Sequence, residues 1–132
     1  MSGILQKVVG EIYDAFARGD IPAVLRHFAV DIAWDQQHPD HGIPWLKPRL
    51  GIKSVEEFFE ILPKELQISR FQPLHTFVTR DGVIGVVDFE AVVTRSGKTL
   101  KDIEMHVFTF KDNRVIAFDH KVDTHEHWLK LH

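Results

Sequence analysis

The sequence predicts an α+β domain in which helices from the first half of the chain pack on one face of an antiparallel sheet. Apolar residues near the N-terminus recur every three or four positions, as on one face of a helix. After Leu66, turn signals at Asp81-Gly82, Ser96-Gly97 and Asp112-Asn113 separate four β-rich runs. With 132 residues, 44% of them hydrophobic, the chain suits one domain over residues 1–132 with a single core.

Two helices are expected before residue 30. The first begins at Ile4 and ends at Gly19, because the residues between them form an apolar stripe and glycine commonly terminates a helix. Asp20 can cap a second, shorter helix, since its side chain can accept hydrogen bonds from the free N–H groups of the first turn. Pro22 is tolerated in that turn, so the two helices are expected to meet at a corner.

A short strand and a long loop are expected between the second helix and the third. Residues 32–34 (Ile-Ala-Trp) have the composition of a strand, and residues 35–51 contain three Pro, two Gly and two His without periodicity, as in a surface loop. Because long loops are often functional and this one follows Trp34, we expect it to border the binding site. The third helix is expected to begin with a capping box at Ser54 and to stop at Pro63.

The four β-rich runs cover roughly residues 66–79, 83–95, 98–111 and 114–124. Tight turns join antiparallel neighbours, so the runs are expected to form a meander. Side chains alternate between the two faces of a strand. We expect the helices to cover the face of the second run that carries Val83, Val87, Phe89, Ala91 and Val93.

The third run indicates that the outer face of the sheet is apolar too. Its even-numbered positions from Leu100 to Phe110 share one face. The odd-numbered positions on the opposite face include Ile103, Met105 and Val107. A sheet with helices on one side and an apolar second face commonly buries that face in a dimer. We therefore expect a homodimer through the outer sheet face.

Composition excludes several classes of partner. Lys plus Arg number 16 against 19 Asp plus Glu, and no stretch concentrates the basic residues, so nucleic acid is not an expected partner. The chain has no cysteine, which excludes disulfides and thiolate sites and favours the cytoplasm. The first helix carries Lys7 and Glu11, and no run approaches 18 apolar residues, so neither secretion nor a membrane span is expected.

Particular stretches of the chain match a known family. They are YDAFARGD (13–20), VLRHFA (24–29), DIAW (31–34), HVFTFKDNRVI (106–116) and the closing Asp123-Thr124. Together with the order of elements, they resemble the NTF2-like superfamily, and in particular its SnoaL-like branch of polyketide cyclases and ketosteroid isomerases. The resemblance implies a cone in which three N-terminal helices pack on a curved antiparallel sheet of four to six strands.

This chain retains only some of the catalytic residues of the enzymes that it resembles. Steroid isomerases of this fold rely on a Tyr, a general-base Asp and a protonated Asp, and the matching positions here are Ile12, Gln36 and His106. SnoaL-like cyclases place a His on the third meander strand and an Asp on the last strand. The matching positions are His106 and His120, so the resemblance retains the first residue and replaces the acid by an imidazole.

We predict a catalytic site formed by Glu104, His106 and His120. The first two share a face of one strand, and the third lies on the neighbouring strand, so all three can converge inside the cone. Imidazole has a pKa of about 6.5, so the pair could serve as general base and general acid. Alternatively, both histidines are hydrogen-bonded fillers of a polar cavity. The predicted ligand contacts are Tyr13, Phe16, Trp34, Phe89, Phe108 and Asp102.

The remaining histidines are not expected to bind metal. His38, Asp40 and His41 lie close together in the sequence, but a catalytic zinc site needs three ligands in fixed geometry and these residues fall in a Pro-rich loop. Residues 125–127 (His-Glu-His) are expected to be solvent-exposed in the same way. No metal ion and no organic cofactor are expected.

The functional hypothesis is that the protein binds a small, mainly apolar ligand with oxygen functions, such as a polyketide-like or steroid-like molecule. It would catalyse isomerisation, cyclisation or hydration by acid-base chemistry without a cofactor. One alternative is a non-catalytic ligand-binding or sensor protein that uses the same cavity, and turnover would distinguish the two. Another is a protein-interaction adaptor that uses the outer sheet face.

Overall fold

The computed structural model describes residues 2–132 and consists of four helices and six strands. In the part of the chain that it describes, no helix is both long and apolar enough to cross a bilayer. In chain order the elements are α1 (Ser2–Ala17), α2 (Ile21–Leu25), β1 (Phe28–Trp34), β2 (Arg49–Leu50), α3 (Ile52–Glu65), β3 (Leu66–Val78), β4 (Gly82–Val93), β5 (Thr99–Lys111), β6 (Arg114–Lys121) and α4 (Thr124–Leu131).

All six strands belong to one curved sheet, whose spatial order is β2-β1-β6-β5-β4-β3. The α+β class is confirmed, and β3 to β6 form the predicted antiparallel meander. One strand pair departs from the antiparallel arrangement, because β1 runs parallel to β6. Parallel neighbours need a long connection, and the five elements between β1 and the meander's last strand, β6, provide one.

All three predicted helices form, and the ends of α1 and α3 each lie about two residues from the predicted positions. The Asp20 side chain caps α2 by accepting the N–H of Ala23 at 3.2 Å. Helix α3 begins at Ile52, so the predicted capping box at Ser54 does not form. Pro63 lies inside the last turn of α3 and does not stop it. A proline removes one backbone hydrogen bond and crowds the carbonyl four residues earlier, and here only two helical residues follow it.

The two faces of the meander differ in exposure, as the period-2 pattern predicts. The odd-numbered residues of β4 are buried, and so are most even-numbered residues of β5, including Glu104 and His106. Helices α1 and α3 pack on this inner face. On the outer face, the side chains of Ile103 and Met105 remain 55% and 45% exposed. The dimer that would cover them stays a prediction.

Two segments expected at the surface are instead packed into the core. Within the loop after β1, Asp35, Ile43, Trp45 and Leu46 are all at most 3% exposed. The C-terminal segment forms α4, whose His127 is 1% exposed, so the prediction that residues 125–127 are solvent-exposed is wrong for this histidine. Both segments carry apolar residues that become buried only when the chain folds back on the sheet.

Candidate functional site

An internal cavity lies between the helices and the inner face of the sheet. About 70 Å³ is open to the centres of water molecules, which is room for several of them. Almost all of the wall is apolar, and much of it is aromatic. Of the predicted ligand contacts, five line the cavity: Tyr13, Phe16, Trp34, Phe89 and Phe108. Asp102 is not among the lining residues, so the structure gives no support to its predicted contact with a ligand.

One carboxylate and three imidazole side chains line the cavity: Glu104, His106, His120 and His127. The first three are the predicted catalytic residues, and the cross-strand register of β5 and β6 places His106 opposite His120. The centroids of these two rings are 5.3 Å apart. The structure therefore brings the predicted residues together, while their catalytic role stays a prediction.

Protein groups occupy both ring nitrogens of His106. Nε2 lies 3.0 Å from Oε1 of Glu104, and Nδ1 lies 2.9 Å from the hydroxyl oxygen of Tyr13. Burial raises the pKa of Tyr13, as does the charge of Glu104, so the hydroxyl keeps its proton and can donate it to Nδ1. Nε2–H then donates to the carboxylate. Both ring nitrogens of His106 are thus hydrogen-bonded to protein groups, and neither is free to bind a ligand.

Asp35 holds His120 by two hydrogen bonds. The backbone N–H of His120 donates to Oδ1 of Asp35 at 2.7 Å, and Nδ1 donates to Oδ2 at 2.8 Å. The Asp35 side chain is fully buried, and that of His120 is 12% exposed. Nε2 of His120 has no hydrogen-bond partner among residues 2–132. His120 therefore presents one free ring nitrogen, on a side chain that lines the cavity.

Electrostatics separate the two facing histidines. Burial opposes the charge on both rings, and for His106 it outweighs the carboxylate of Glu104 and lowers the pKa. For His120, the charge and hydrogen bond of Asp35, together with the charges of Glu104 and Asp119, outweigh burial and raise the pKa. Burial also opposes the charge of Asp35, but the charge of His120 and its hydrogen bonds lower the pKa of Asp35. The structure thus favours a neutral His106 beside a His120 that is readily charged.

His127 forms a third buried set of hydrogen bonds, between α4, the loop and β5. The indole N–H of Trp45 donates to Nδ1 of His127 at 2.9 Å. An indole can only donate, so Nε2 carries the ring proton and donates it to Asp102 at 2.9 Å. Oε2 of Glu104 lies 3.9 Å from the same nitrogen. His127 resembles His106 in having both nitrogens engaged by protein groups.

Two sets of three side chains have donor atoms close enough to surround a metal ion. They are Glu104, His106 and His120, and Asp102, Glu104 and His127, with donor atoms within 4.8 Å of one another in each set. In the second set, the Trp45 indole keeps the proton of His127 on the nitrogen that a metal would need. In the first set, a cation would have to replace the bond between Glu104 and His106. A cation in either set would therefore have to displace a hydrogen bond that the structure contains.

Two buried donor atoms lack partners among residues 2–132: Nε1 of Trp34 and one terminal nitrogen (Nη2) of Arg49. The Trp34 ring stacks on Phe118 with centroids 4.2 Å apart. Trp34 is one of the predicted ligand contacts, and its indole N–H is the group that could donate a hydrogen bond to a ligand. Because Nε1 is covered by neighbouring atoms, such a bond would require a local shift of the packing.

Sequence reasoning missed Asp35, Trp45 and His127 as site residues. Matching to steroid isomerases put the general base at Gln36, whereas the buried acid stands one position earlier. Asp35 has φ +53°, which turns the chain at the end of β1 and brings its carboxylate to His120. Asp123 caps α4 by accepting the N–H of Glu126, and this Asp-x-x-Glu spacing was the available signal for the helix that carries His127.

Comparison with known proteins identifies the family. The profile of the SnoaL-like domain matches residues 9–118, so the chain belongs to the SnoaL-like family. No curated protein matches the sequence.

Several solved structures share the fold at low sequence identity. An NTF2-like protein from Burkholderia xenovorans superposes with a TM-score of 0.88 at 18% identity, over 100% of this chain and 98% of that one. TerC, which was co-crystallised with polyporic acid, superposes with a TM-score of 0.80 at 20% identity, over 97% of this chain and 98% of that one. A candidate polyketide cyclase from Xanthomonas campestris superposes with a TM-score of 0.78 at 18% identity, over 99% of this chain and 98% of that one. The NTF2-like fold is thereby confirmed.

Proposed function

We propose that this SnoaL-like protein binds a small, mainly apolar ligand with oxygen functions and catalyses cofactor-independent proton transfer on it. Isomerisation, cyclisation and hydration are the reactions that such transfer serves. The observation that carries the proposal is the free ring nitrogen of His120, held by buried Asp35 beside an apolar cavity. The aromatic wall can stack against a polyketide-like or related aromatic ligand, and neighbours of the fold include a candidate polyketide cyclase and a protein crystallised with polyporic acid.

His120 is the proposed proton-transfer residue. Its neutral form takes a proton from a carbon next to a ligand carbonyl through Nε2, and the imidazolium then returns that proton to another ligand atom. Asp35 fixes the ring by binding Nδ1 and stabilises the imidazolium while it exists. No proton is gained or lost over the cycle, so no cofactor is needed.

Glu104 and His106 are assigned a different role from the one expected from sequence. His106 was the expected base or proton donor, tuned by Glu104. Because both nitrogens of His106 are occupied, we propose instead that the pair forms a fixed anionic wall beside His120. The charge of Glu104 adds to that of Asp35 in raising the pKa of His120.

The test is deuterium exchange of 2-tetralone, a bicyclic aromatic ketone with acidic C–H bonds next to its carbonyl, followed by NMR in D₂O. Wild-type protein should accelerate exchange over buffer, and His120→Gln should lose about 10²-fold or more of that acceleration. His41→Gln is the matched control, because His41 is an exposed histidine of the loop. Equal exchange by wild type and His120→Gln would exclude His120 as the proton-transfer residue.

One observation favours the non-catalytic alternative. Apart from Nε2 of His120, the histidine nitrogens of the cavity are engaged by other protein groups, as in a lining that only solvates a ligand. If 2-tetralone raises the thermal midpoint of the protein without exchanging faster than in buffer, the ligand-binding function replaces the catalytic one.

We also propose that the protein acts as a homodimer. We place it in the cytoplasm, because a chain without cysteine suits a reducing compartment. Apolar side chains form a row across the outer face, because Phe77, Ile84 and Val107 are cross-strand partners. Met105 and Ile103 continue the same face on β5. A second copy that packs on this face would cover these side chains, and the same face is the one that a protein-interaction adaptor would use.

A further inference from the structure

The inner face of β4 has one gap in its row of side chains. Val83 and Val87 pack into the core, and Gly85 lies between them, opposite His106 of β5. The hydroxyl of Tyr13 occupies the space that a side chain would take. A Cβ atom built on Gly85 would lie 2.1 Å from the hydroxyl oxygen of Tyr13 and 3.0 Å from its Cζ.

The backbone does not explain this glycine. Gly85 is not among the residues with positive φ, unlike Gly19, Gly51 and Gly97, so a larger residue could adopt its conformation. Glycine also weakens the interior of a strand, where it often marks a close approach of another group. The close approach here is that of the hydroxyl of Tyr13, which reaches Nδ1 of His106 at 2.9 Å.

We propose that Gly85 is a positioning residue: its missing side chain lets Tyr13 bind His106 and thereby fixes the tautomer of His106. Tyr13 donates to Nδ1, so the ring proton stays on Nε2 and is donated to Glu104. The carboxylate of Glu104 is held in place and contributes to the field around His120.

This inference deepens the proposed function, and its link to turnover rests on that function. The link from Gly85 to the His106 tautomer does not, because it depends only on contacts within the protein. A methyl group at position 85 would push the hydroxyl away from Nδ1. His106 would then be free to exchange its ring proton between the two nitrogens, and Glu104 would lose a fixed donor.

A double-mutant cycle tests the contact. Gly85→Ala should lower the urea midpoint of unfolding in the wild-type background. In the Tyr13→Phe background the shift should be clearly smaller, because the atom 2.1 Å from the new methyl group is then absent. Gly10→Ala is the matched control, since no atom outside the backbone of α1 and the adjoining residues lies within 4 Å of a Cβ at that position. An equal shift in both backgrounds would overturn the contact between Gly85 and Tyr13 as the reason for glycine.

The second measurement is the ¹⁵N spectrum of the histidine rings, which reports the tautomer directly. In wild type and in Gly10→Ala, Nδ1 of His106 should be unprotonated and Nε2 protonated. Gly85→Ala and Tyr13→Phe should both shift these signals toward a mixture of tautomers, and both should move the titration midpoint of His120. Unchanged His106 signals in folded Gly85→Ala protein would refute the positioning role. Neither readout needs a substrate, so a failure of 2-tetralone exchange would count against the proposed function alone.

Discussion

His106 and His120 face each other across two strands, yet their surroundings give them opposite properties. Both lie on the inner face, with ring centroids 5.3 Å apart. Tyr13 and Glu104 occupy both nitrogens of His106, whereas Asp35 occupies one nitrogen of His120. Burial lowers the pKa of the first, and Asp35 raises that of the second. We therefore expect the partners that other elements supply, rather than the position on the sheet, to decide which histidine exchanges protons with a ligand.

The largest expected effect separates the two histidines by turnover. His120→Gln should lose about 10²-fold or more in 2-tetralone exchange, while folded His106→Gln should lose less than about tenfold, because only His120 offers a free nitrogen. From sequence alone, both substitutions are expected to cost the same. Exchange rates of the two variants at equal ketone concentration check this. An equal loss in both would show that His106 also takes part in proton transfer.

Removing the carboxylate of Asp35 should lower the pKa of His120 and so reduce its difference from the pKa of His106. Asp35→Asn is expected to lower the titration midpoint of His120 and to destabilise the fold by about 3 kcal/mol near pH 5.5, as breaking a buried ion pair does. The pKa of His120 is raised in the folded state, so its contribution is complete below the unfolded value of about 6.5 and disappears as pH rises through the folded value. Asp35 has a lowered pKa, so its contribution disappears only in acid.

Urea unfolding of wild type and Asp35→Asn at pH 5.5 and pH 9 measures this difference. The gap in unfolding free energy between the two proteins should narrow at the higher pH, because the raised pH removes the charge of His120 on which its ion pair with Asp35 depends. Asp40→Asn is a suitable control, because Asp40 is an exposed acid of the same loop. A gap that stays constant with pH would mean that Asp35 stabilises the fold by hydrogen bonds alone.

The part of the site that lies on one strand pair was predictable from sequence, and the part that depends on distant segments was not. Glu104 and His106 alternate with outward residues along β5, so local periodicity places them on the inner face. The carboxylate of Asp35 reaches His120 only because β1 pairs parallel to β6, which a local pattern does not encode. The resemblance to the SnoaL-like branch gave the family and fold, but matching by position missed Asp35 by one residue.

The burial of His127, in the C-terminal segment, was likewise not predictable from the local sequence. Its burial depends on α4 folding back to Trp45 and Asp102. Both partners are distant in sequence, so no pattern in the residues around His127 predicts these contacts. The loop that carries Trp45 has no periodicity, yet its apolar residues are as buried as those of the strands. Composition suggested a surface loop because proline and glycine mark turns, but they say nothing about where the intervening side chains pack.

A third histidine sharpens the distinction between occupied and free ring nitrogens. His127 is engaged at both nitrogens, so His127→Gln should behave as a stability variant and leave the exchange activity of folded protein within a few-fold of wild type. We expect a loss of about 2 kcal/mol, because the Trp45 indole and the Asp102 carboxylate lose well-placed partners. His125→Gln, at an exposed position of the same helix, should change stability by less than about 0.5 kcal/mol. Urea unfolding of the two variants measures the difference, and equal stability would contradict the role of His127.

The smallest expected effect on the site comes from the opposite side of the same strand. Ile103 lies between Asp102 and Glu104 in sequence but points to the outer face, where it is 55% exposed. If a second copy covers that face, Ile103→Glu should convert a sedimenting dimer to a monomer, because a charge would be buried at the interface. Lys98→Glu, in an exposed turn of the chain, should leave the dimer intact.

Exchange of 2-tetralone by Ile103→Glu should stay within about twofold of wild type, since every group assigned to proton transfer lies on the inner face of one chain. A wild-type protein that sediments as a monomer at micromolar concentration would contradict the dimer and leave the site unaffected. Loss of exchange together with the dimer would instead show that the cavity depends on the second copy. The contrast between His106 and His120 would then have to be explained by the assembly rather than by a single chain.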